Sequence, residues 1–174
     1  AWTQQTRIAG DRATLDLEVP LRDRAFRVAN GGTTTLLNGH VATLEGERYR
    51  AWRGQSYGYD LVRVDALGRR SHGLRPRVLA DYLTYGTPVY APCAGRVLET
   101  VDDRPDLVPP ARDTQRLPGN FVLLECGEAW VVLAHLRQGS VAVEPNAPVR
   151  TGDLLGEIGN SGNSFEPHLH LHAQ

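Results

Sequence analysis

The sequence predicts a mainly β protein with long loops, and three observations carry that prediction. Several segments alternate apolar and polar residues with period two, the signature of a half-buried strand. Gly 18 and Pro 11 supply frequent chain breaks between short elements. Beyond a single turn near residues 78–82, no segment shows the 3.6-residue spacing of an amphipathic helix. A chain of 174 residues, 41% hydrophobic and 22% charged, suits one packed domain or one domain with an extension.

Residues 13–19 alternate Ala-Thr-Leu-Asp-Leu-Glu-Val and read as a strand, and Asn30-Gly31-Gly32 reads as a turn. Residues 33–56 form a loop-rich excursion holding His40, Trp52 and Gln55. Alternation resumes over residues 57–64, a strand that carries Asp60, and residues 65–76 are a polar surface loop with Arg69, Arg70 and His72. Residues 87–92 and 96–101 read as two short strands around a tight turn at Gly95. Residues 102–119, with Pro105, Pro109, Pro110 and Pro118, are the clearest loop. Residues 121–125 and 129–136 predict a hairpin about Cys126-Gly127-Glu128. Glycines punctuate residues 149–158, residues 160–164 are a turn cluster, and residues 168–172 are a final strand.

Composition excludes several functions. Acidic and basic residues nearly cancel, 20 against 19, so there is no electrostatic case for nucleic acid or an anionic membrane. Every basic residue is Arg. The missing lysine removes Schiff-base enzymes, P-loop phosphate cradles and lysine-linked carriers. Residues 143–159 resemble the turn-rich half-barrel of lipoyl-type domains, but that use also needs lysine. No apolar run approaches the ~20 residues that span a bilayer, so no integral membrane segment is expected. With no Met in the chain, residue 1 is not a translation start. A processed or trimmed form is expected, with any signal peptide gone and elements after Gln174 missing. Cys93 and Cys126 lack metal-type spacing and read as two buried thiols. A disulfide is the lesser alternative and would fit an oxidising compartment. Oligomeric state is not legible.

The chemistry lies in the histidines. In a strand, His168, His170 and His172 share one face, so two or more imidazoles reach one site. Zinc takes imidazole nitrogen and carboxylate oxygen, and a catalytic zinc keeps three protein ligands and an open position. Asp60, mid-strand among apolar neighbours, is the natural carboxylate, since a buried bare charge is costly. His135 closes an apolar strand. Taken singly, these residues also fit blander roles: a surface strand that happens to hold histidines, a solvent-facing aspartate, a satisfied core or rim histidine.

Taken together they resemble a known family. Asp60 in Tyr57-Gly58-Tyr59-Asp60 comes first in order, followed by Gly86-Thr87-Pro88-Val89-Tyr90-Ala91-Pro92 with Gly95 and Val97. Gly119-Asn120-Phe121-Val122, Ala134-His135-Leu136 and residues 149–156 come next, and Gly159-Asn160-Ser161-Gly162 and Glu166-Pro167-His168-Leu169-His170 complete the series. From about residue 38 to 174 this resembles the M23 zinc metallopeptidases of the lysostaphin and LytM type. The resemblance implies an antiparallel, barrel-sandwich-like β fold (the duplicated hybrid motif) with its site in a groove. It divides the chain into a strand-rich extension, 1–36, packed on the core, and an M23-like domain, 37–174. It implies one Zn²⁺ per chain, bound by Asp60 and His170, with His168 and His135 as catalytic histidines that hold or move protons. The implied substrate is a peptide of bacterial cell-wall peptidoglycan, and the implied location is extracytoplasmic: secreted, periplasmic or bound to the cell wall.

One position departs from the family. Its usual His-x-x-x-Asp would place histidine at residue 56, which is Ser56. His40 is the expected replacement. The Asn38-Gly39-His40 segment, followed by Gln55, Tyr57 and Asp60, resembles an M23 subgroup with Asn-x-His before Gln-x-Tyr-x-x-Asp. His72 is the competing ligand, with a surface-loop role as its other reading. His172 reads as a neighbour of the site or part of its rim. Glu45 and Glu166 lack the His-Glu-x-x-His context of a general base, and Glu166 reads as a turn or groove residue. Trp52, Tyr57, Tyr59 and Tyr90 are either groove or core. Two rival functions stand beside hydrolysis. One is a non-catalytic M23-like module that binds cell wall or regulates another hydrolase. The other is a phosphotransfer domain, which would need neither Asp60 nor metal.

Overall fold

A computed structural model describes residues 16–22, 25–32, 38–44, 55 and 57–174. Among the described residues nine strands carry the fold: β1 (Phe26–Asn30), β2 (Tyr59–Arg63), β3 (Pro88–Tyr90), β4 (Gly95–Val101), β5 (Asn120–Cys126), β6 (Ala129–Leu136), β7 (Pro148–Val149), β8 (Leu154–Glu157) and β9 (Leu169–Ala173). Short 3-10 turns, among them Gly39–Leu44 and Leu79–Asp81, accompany them. The second answers the turn expected near residues 78–82. Among the described residues no helix is long and apolar enough to cross a membrane.

Seven strands form one antiparallel sheet in the order β1-β2-β9-β6-β5-β4-β7, and β3 pairs with β8 in a second, two-stranded sheet. The mainly β, antiparallel architecture agrees with the sequence. The predicted hairpin is β5–β6, turning at Gly127, whose φ of +63° suits glycine. The final strand does not lie at an edge. It inserts between β2 and β6, so Leu169, His170 and His172 are buried within the sheet.

Period two accounts for the core. In β5, Asn120, Val122, Leu124 and Cys126 are buried and the residues between them are not. The side chains of Val122, Leu124 and Cys126 join Val97, Val131, Leu133 and Leu169 of the large sheet, and Val89 and Leu155 of the small one, in a single cluster. Burying each such side chain contributes about 1.5–3 kcal/mol.

Three expectations are corrected. The described part of the first predicted strand, residues 16–19, is not a strand, although Glu18 N–H donates to Pro92 O; residues 13–15 lie outside the described set. Residues 87–92 and 96–101 do not form a hairpin. β3 joins β8 while β4 joins β5 and β7, because the apolar side chains of the two segments are needed on different sheets of one core. Cys93 and Cys126 are not free thiols but a disulfide, with Cα atoms 6.0 Å apart. Chain folding brings the β3–β4 connection against the end of β5, a proximity that sequence spacing does not encode.

Candidate metal centre

Strand register builds the centre. Asp60 on β2 pairs with His170 on β9, and His170 pairs with Ala134 on β6. Directly opposed residues point to one face, so the carboxylate and the imidazole lie side by side, with His170 Nδ1 2.9 Å from Asp60 Oδ1. His168, two residues before His170, shares that face and brings Nε2 to 3.5 Å from the same oxygen. His40 arrives from the Gly39–Leu44 turn, its Nε2 3.2 Å from Asp60 Oδ1. His40, Asp60 and His170 each offer an atom lying within 4.8 Å of the others. His72 is elsewhere, exposed in the 65–76 loop, where its N–H donates to Asp81 O.

His135 is placed by an irregularity. The β5–β6 register shifts where Asn120 faces Leu136 and Phe121 faces Ala134, leaving His135 as the extra residue with φ +63°. Bulges re-aim side chains in this way, and the left-handed conformation costs a non-glycine residue of order 1–3 kcal/mol. Hydrogen bonds hold it there: His135 N–H donates to Pro118 O, its carbonyl accepts from Gly159 N–H, and Nδ1 donates to Ser161 O at 2.9 Å. Ser161 can sit there because Gly119 and Gly162 meet backbone to backbone, where a Cβ on either would collide. The His135 and His168 rings are 4.6 Å apart. His168 Nδ1 donates to Glu166 O at 2.8 Å. Both imidazoles therefore hold Nδ1–H on a carbonyl and keep Nε2 for exchange.

Each charge state has a physical cause. Burial alone would raise the Asp60 pKa. The nearby His168 charge and hydrogen bonds from His168, His170 and His40 outweigh it and hold the carboxyl far below the usual range. Burial also works against a charged His168, but Asp60 and Glu166 O reverse the balance and raise it. Burial, reinforced by His168 and His170, pushes His135 well below its ordinary value. Burial lowers His170 despite Asp60. His172, 3% exposed, is pushed down to about 3 by burial, and its Nδ1 lies 2.8 Å from His170 Nε2.

Sequence reading missed several contributors. Asn38 Oδ1 accepts from His40 Nδ1 at 3.0 Å. Asn30 Nδ2 donates to Asp60 Oδ2 at 2.9 Å. Gly58 is buried where a Cβ would lie 3.0 Å from His170 Cε1 and 3.1 Å from His40 Nδ1. Asn38 stood within a recognised motif. Gly58 stood inside the Tyr57-Gly58-Tyr59-Asp60 motif, and Asn30 read only as part of a turn. Glu166 is paired with Arg70, and Tyr57 is exposed. Tyr59 is half-buried on β2, Tyr90 lies beneath the Arg22 guanidinium, and Glu45, Trp52 and Ser56 lie outside the described residues.

Comparison with known proteins gives the family and the fold. The profile of Peptidase family M23 matches residues 81–174, just over half of the chain. It therefore includes His135, His168 and His170 but not His40 or Asp60. Cell division protein DipM of Caulobacter vibrioides (strain NA1000 / CB15N) is 29% identical over 108 residues, 62% of this chain and 15% of that protein. A zinc containing peptidase from Vibrio cholerae superposes with TM-score 0.52 at 16% identity, over 95% of this chain and 41% of that one. A chain of the SpoIIQ-SpoIIIAH pore forming complex superposes with TM-score 0.52 at 15% identity, over 92% of this chain and 84% of that one. At such identities the likeness is one of fold. The chain spans under half the length of the first two relatives.

Proposed function

The chain belongs to Peptidase family M23, and from that premise we propose that it is a zinc-dependent metalloendopeptidase hydrolysing amide bonds in peptidoglycan stem peptides or cross-bridges. One observation carries the reading: a histidine from a turn, an aspartate from β2 and a histidine from β9 converge within 4.8 Å. Their chemistry fits zinc, being two imidazoles and a carboxylate, three donors that leave a coordination position open. The donor atoms are singled out by what the remaining ones do. His40 Nδ1 lies on Asn38, Asp60 Oδ2 on Asn30 and His170 Nε2 beside His172, while His40 Nε2 (also 3.2 Å from Asn30 Nδ2), Asp60 Oδ1 and His170 Nδ1 face one another.

Zinc supplies Lewis acidity, acidifying water from ~15.7 toward ~7 and polarising a carbonyl. The protein supplies the proton chemistry. His135, kept neutral by burial, has Nε2 available to accept a proton from the attacking water. His168, its Nε2 3.5 Å from Asp60 Oδ1 on the same face, would donate a hydrogen bond to the scissile oxygen, and the proton taken up by His135 would pass to the leaving amine. The extracytoplasmic setting belongs to the same proposal, and the Cys93–Cys126 disulfide supports it, since such bonds persist in oxidising compartments.

A second reading is a non-catalytic module that binds cell wall or regulates another hydrolase. It is favoured by the superposition on a chain of a pore forming complex over 84% of that chain. One experiment separates the two. Purified protein is analysed for metal and incubated with peptidoglycan fragments, and released peptides are resolved chromatographically. Zinc near one per chain with chelator-sensitive cleavage supports the peptidase. Zinc without cleavage favours the module, and absence of zinc binding overturns both the ligand assignment and the mechanism.

A further inference from the structure

The two proposed ligands His40 and Asp60 lie twenty residues apart in the chain. In the His-x-x-x-Asp arrangement a short stretch of backbone would set their spacing. Here the two are far apart in sequence, and bringing the ends of so long a segment together costs entropy, so further contacts are needed to fix His40 against Asp60. Besides the proposed ligand His170, the Asn30 side chain reaches both. Asn30 Nδ2 donates to Asp60 Oδ2 at 2.9 Å and lies 3.2 Å from His40 Nε2. Its Oδ1 accepts from Gly39 N–H at 2.8 Å, at the start of the turn that carries His40.

A break in strand register aims it there. β1 and β2 pair as Phe26 with Arg63, Arg27 with Val62 and Val28 with Leu61, after which Asn30, not Ala29, faces Asp60. With regular pairing Ala29 would oppose Asp60 and the Asn30 side chain would point to the other face. The bulge thus sets Asn30, Asp60, His170 and Ala134 in one row across β1, β2, β9 and β6. A second clasp backs the first: Asn38 Nδ2 donates to Gly32 O at 2.9 Å, tying the chain after β1 to the segment before His40.

We infer that Asn30 is a positioning residue of the metal centre. Its amide joins the aspartate ligand to the turn bearing the histidine ligand, and so β1 is part of the site rather than an appendage to it. Asn30 holds Asp60 Oδ2, which leaves Oδ1 as the carboxylate atom turned toward the imidazoles. Outer partners of this kind typically change metal affinity by about 10–100-fold.

The inference rests on the zinc reading, and its test separates the two. Zinc affinity is measured by chelator competition, and metal-free melting is recorded, for the wild-type chain, Asn30→Ala and Asn30→Leu. Leu keeps side-chain bulk on β1 but cannot bridge. The expected result is a dissociation constant raised about 10–100-fold in both variants, with metal-free melting within a few degrees of wild type. Wild-type affinity in either variant overturns the inference while leaving the zinc reading intact. If Leu restores what Ala loses, packing and not bridging is the role, and the inference fails. Loss of folding in both variants assigns the side chain to stability and overturns it too. If the wild-type chain binds no zinc, the functional reading falls and takes this inference with it.

Discussion

Replacing Gly58 by alanine adds one methyl carbon to the wall between the two proposed imidazole ligands. That carbon would sit 2.9 Å from Gln55 O, 3.0 Å from His170 Cε1 and 3.1 Å from His40 Nδ1. Comfortable contacts of this kind are about 3.5–4.0 Å, so each is short by roughly half an ångström. The backbone at Gly58 lies outside the left-handed region, so the objection is purely spatial. Gln55 O cannot retreat freely, because it accepts the Gly58 N–H at 2.7 Å. The rings must therefore move, and by more than the ±0.2 Å that metal–ligand distances tolerate. Overpacking of this size costs about 1–3 kcal/mol. If that strain appears when the ligands are drawn to the metal, the zinc dissociation constant rises by roughly 5–150-fold, at about 1.4 kcal/mol per decade. Chelator competition measures it. Gly39→Ala is the control, since its added carbon meets nothing closer than 3.6 Å. A Gly58→Ala protein that binds zinc as tightly as wild type, with His40→Ala having lost it, would refute the reasoning.

Other outcomes follow from the same geometry. His135→Ala keeps zinc stoichiometry and lowers turnover about 10²–10⁴-fold; steady-state cleavage rates that match wild type remove His135 from the mechanism. Leu124→Ala, at a fully buried position of β5, costs about 2–5 kcal/mol in urea unfolding, and an unchanged midpoint contradicts the described core. Breaking the Cys93–Cys126 bond with paired serine substitutions frees a loop of sequence separation 33, for which chain entropy gives about 3–4 kcal/mol of lost stability by denaturant titration. Chelation lowers the melting temperature, since free zinc at 100 times its dissociation constant adds about 2.7 kcal/mol; a melting curve indifferent to zinc speaks against a folded-state site.

Much of this protein was legible before folding was considered. Apolar runs at residues 121–125 and 129–136 either side of Cys126-Gly127-Glu128 marked the hairpin that became β5–β6, and the His-x-His spacing placed His168 and His170 on one face, as strand geometry requires. These are local properties, written in the order of neighbouring residues, and local stereochemistry is enough to read them. The pairing of Cys93 with Cys126, the separation of β3 from β4 and the insertion of β9 between β2 and β6 were not legible. Neither was the position of Asn30 opposite Asp60, which depends on one surplus residue in β1. Residue types decided which side chains are able to hold a metal or move a proton. Which of them meet was decided only in the folded sheet, because register, bulges and strand order are settled by burying one shared core, and no single segment contains that information.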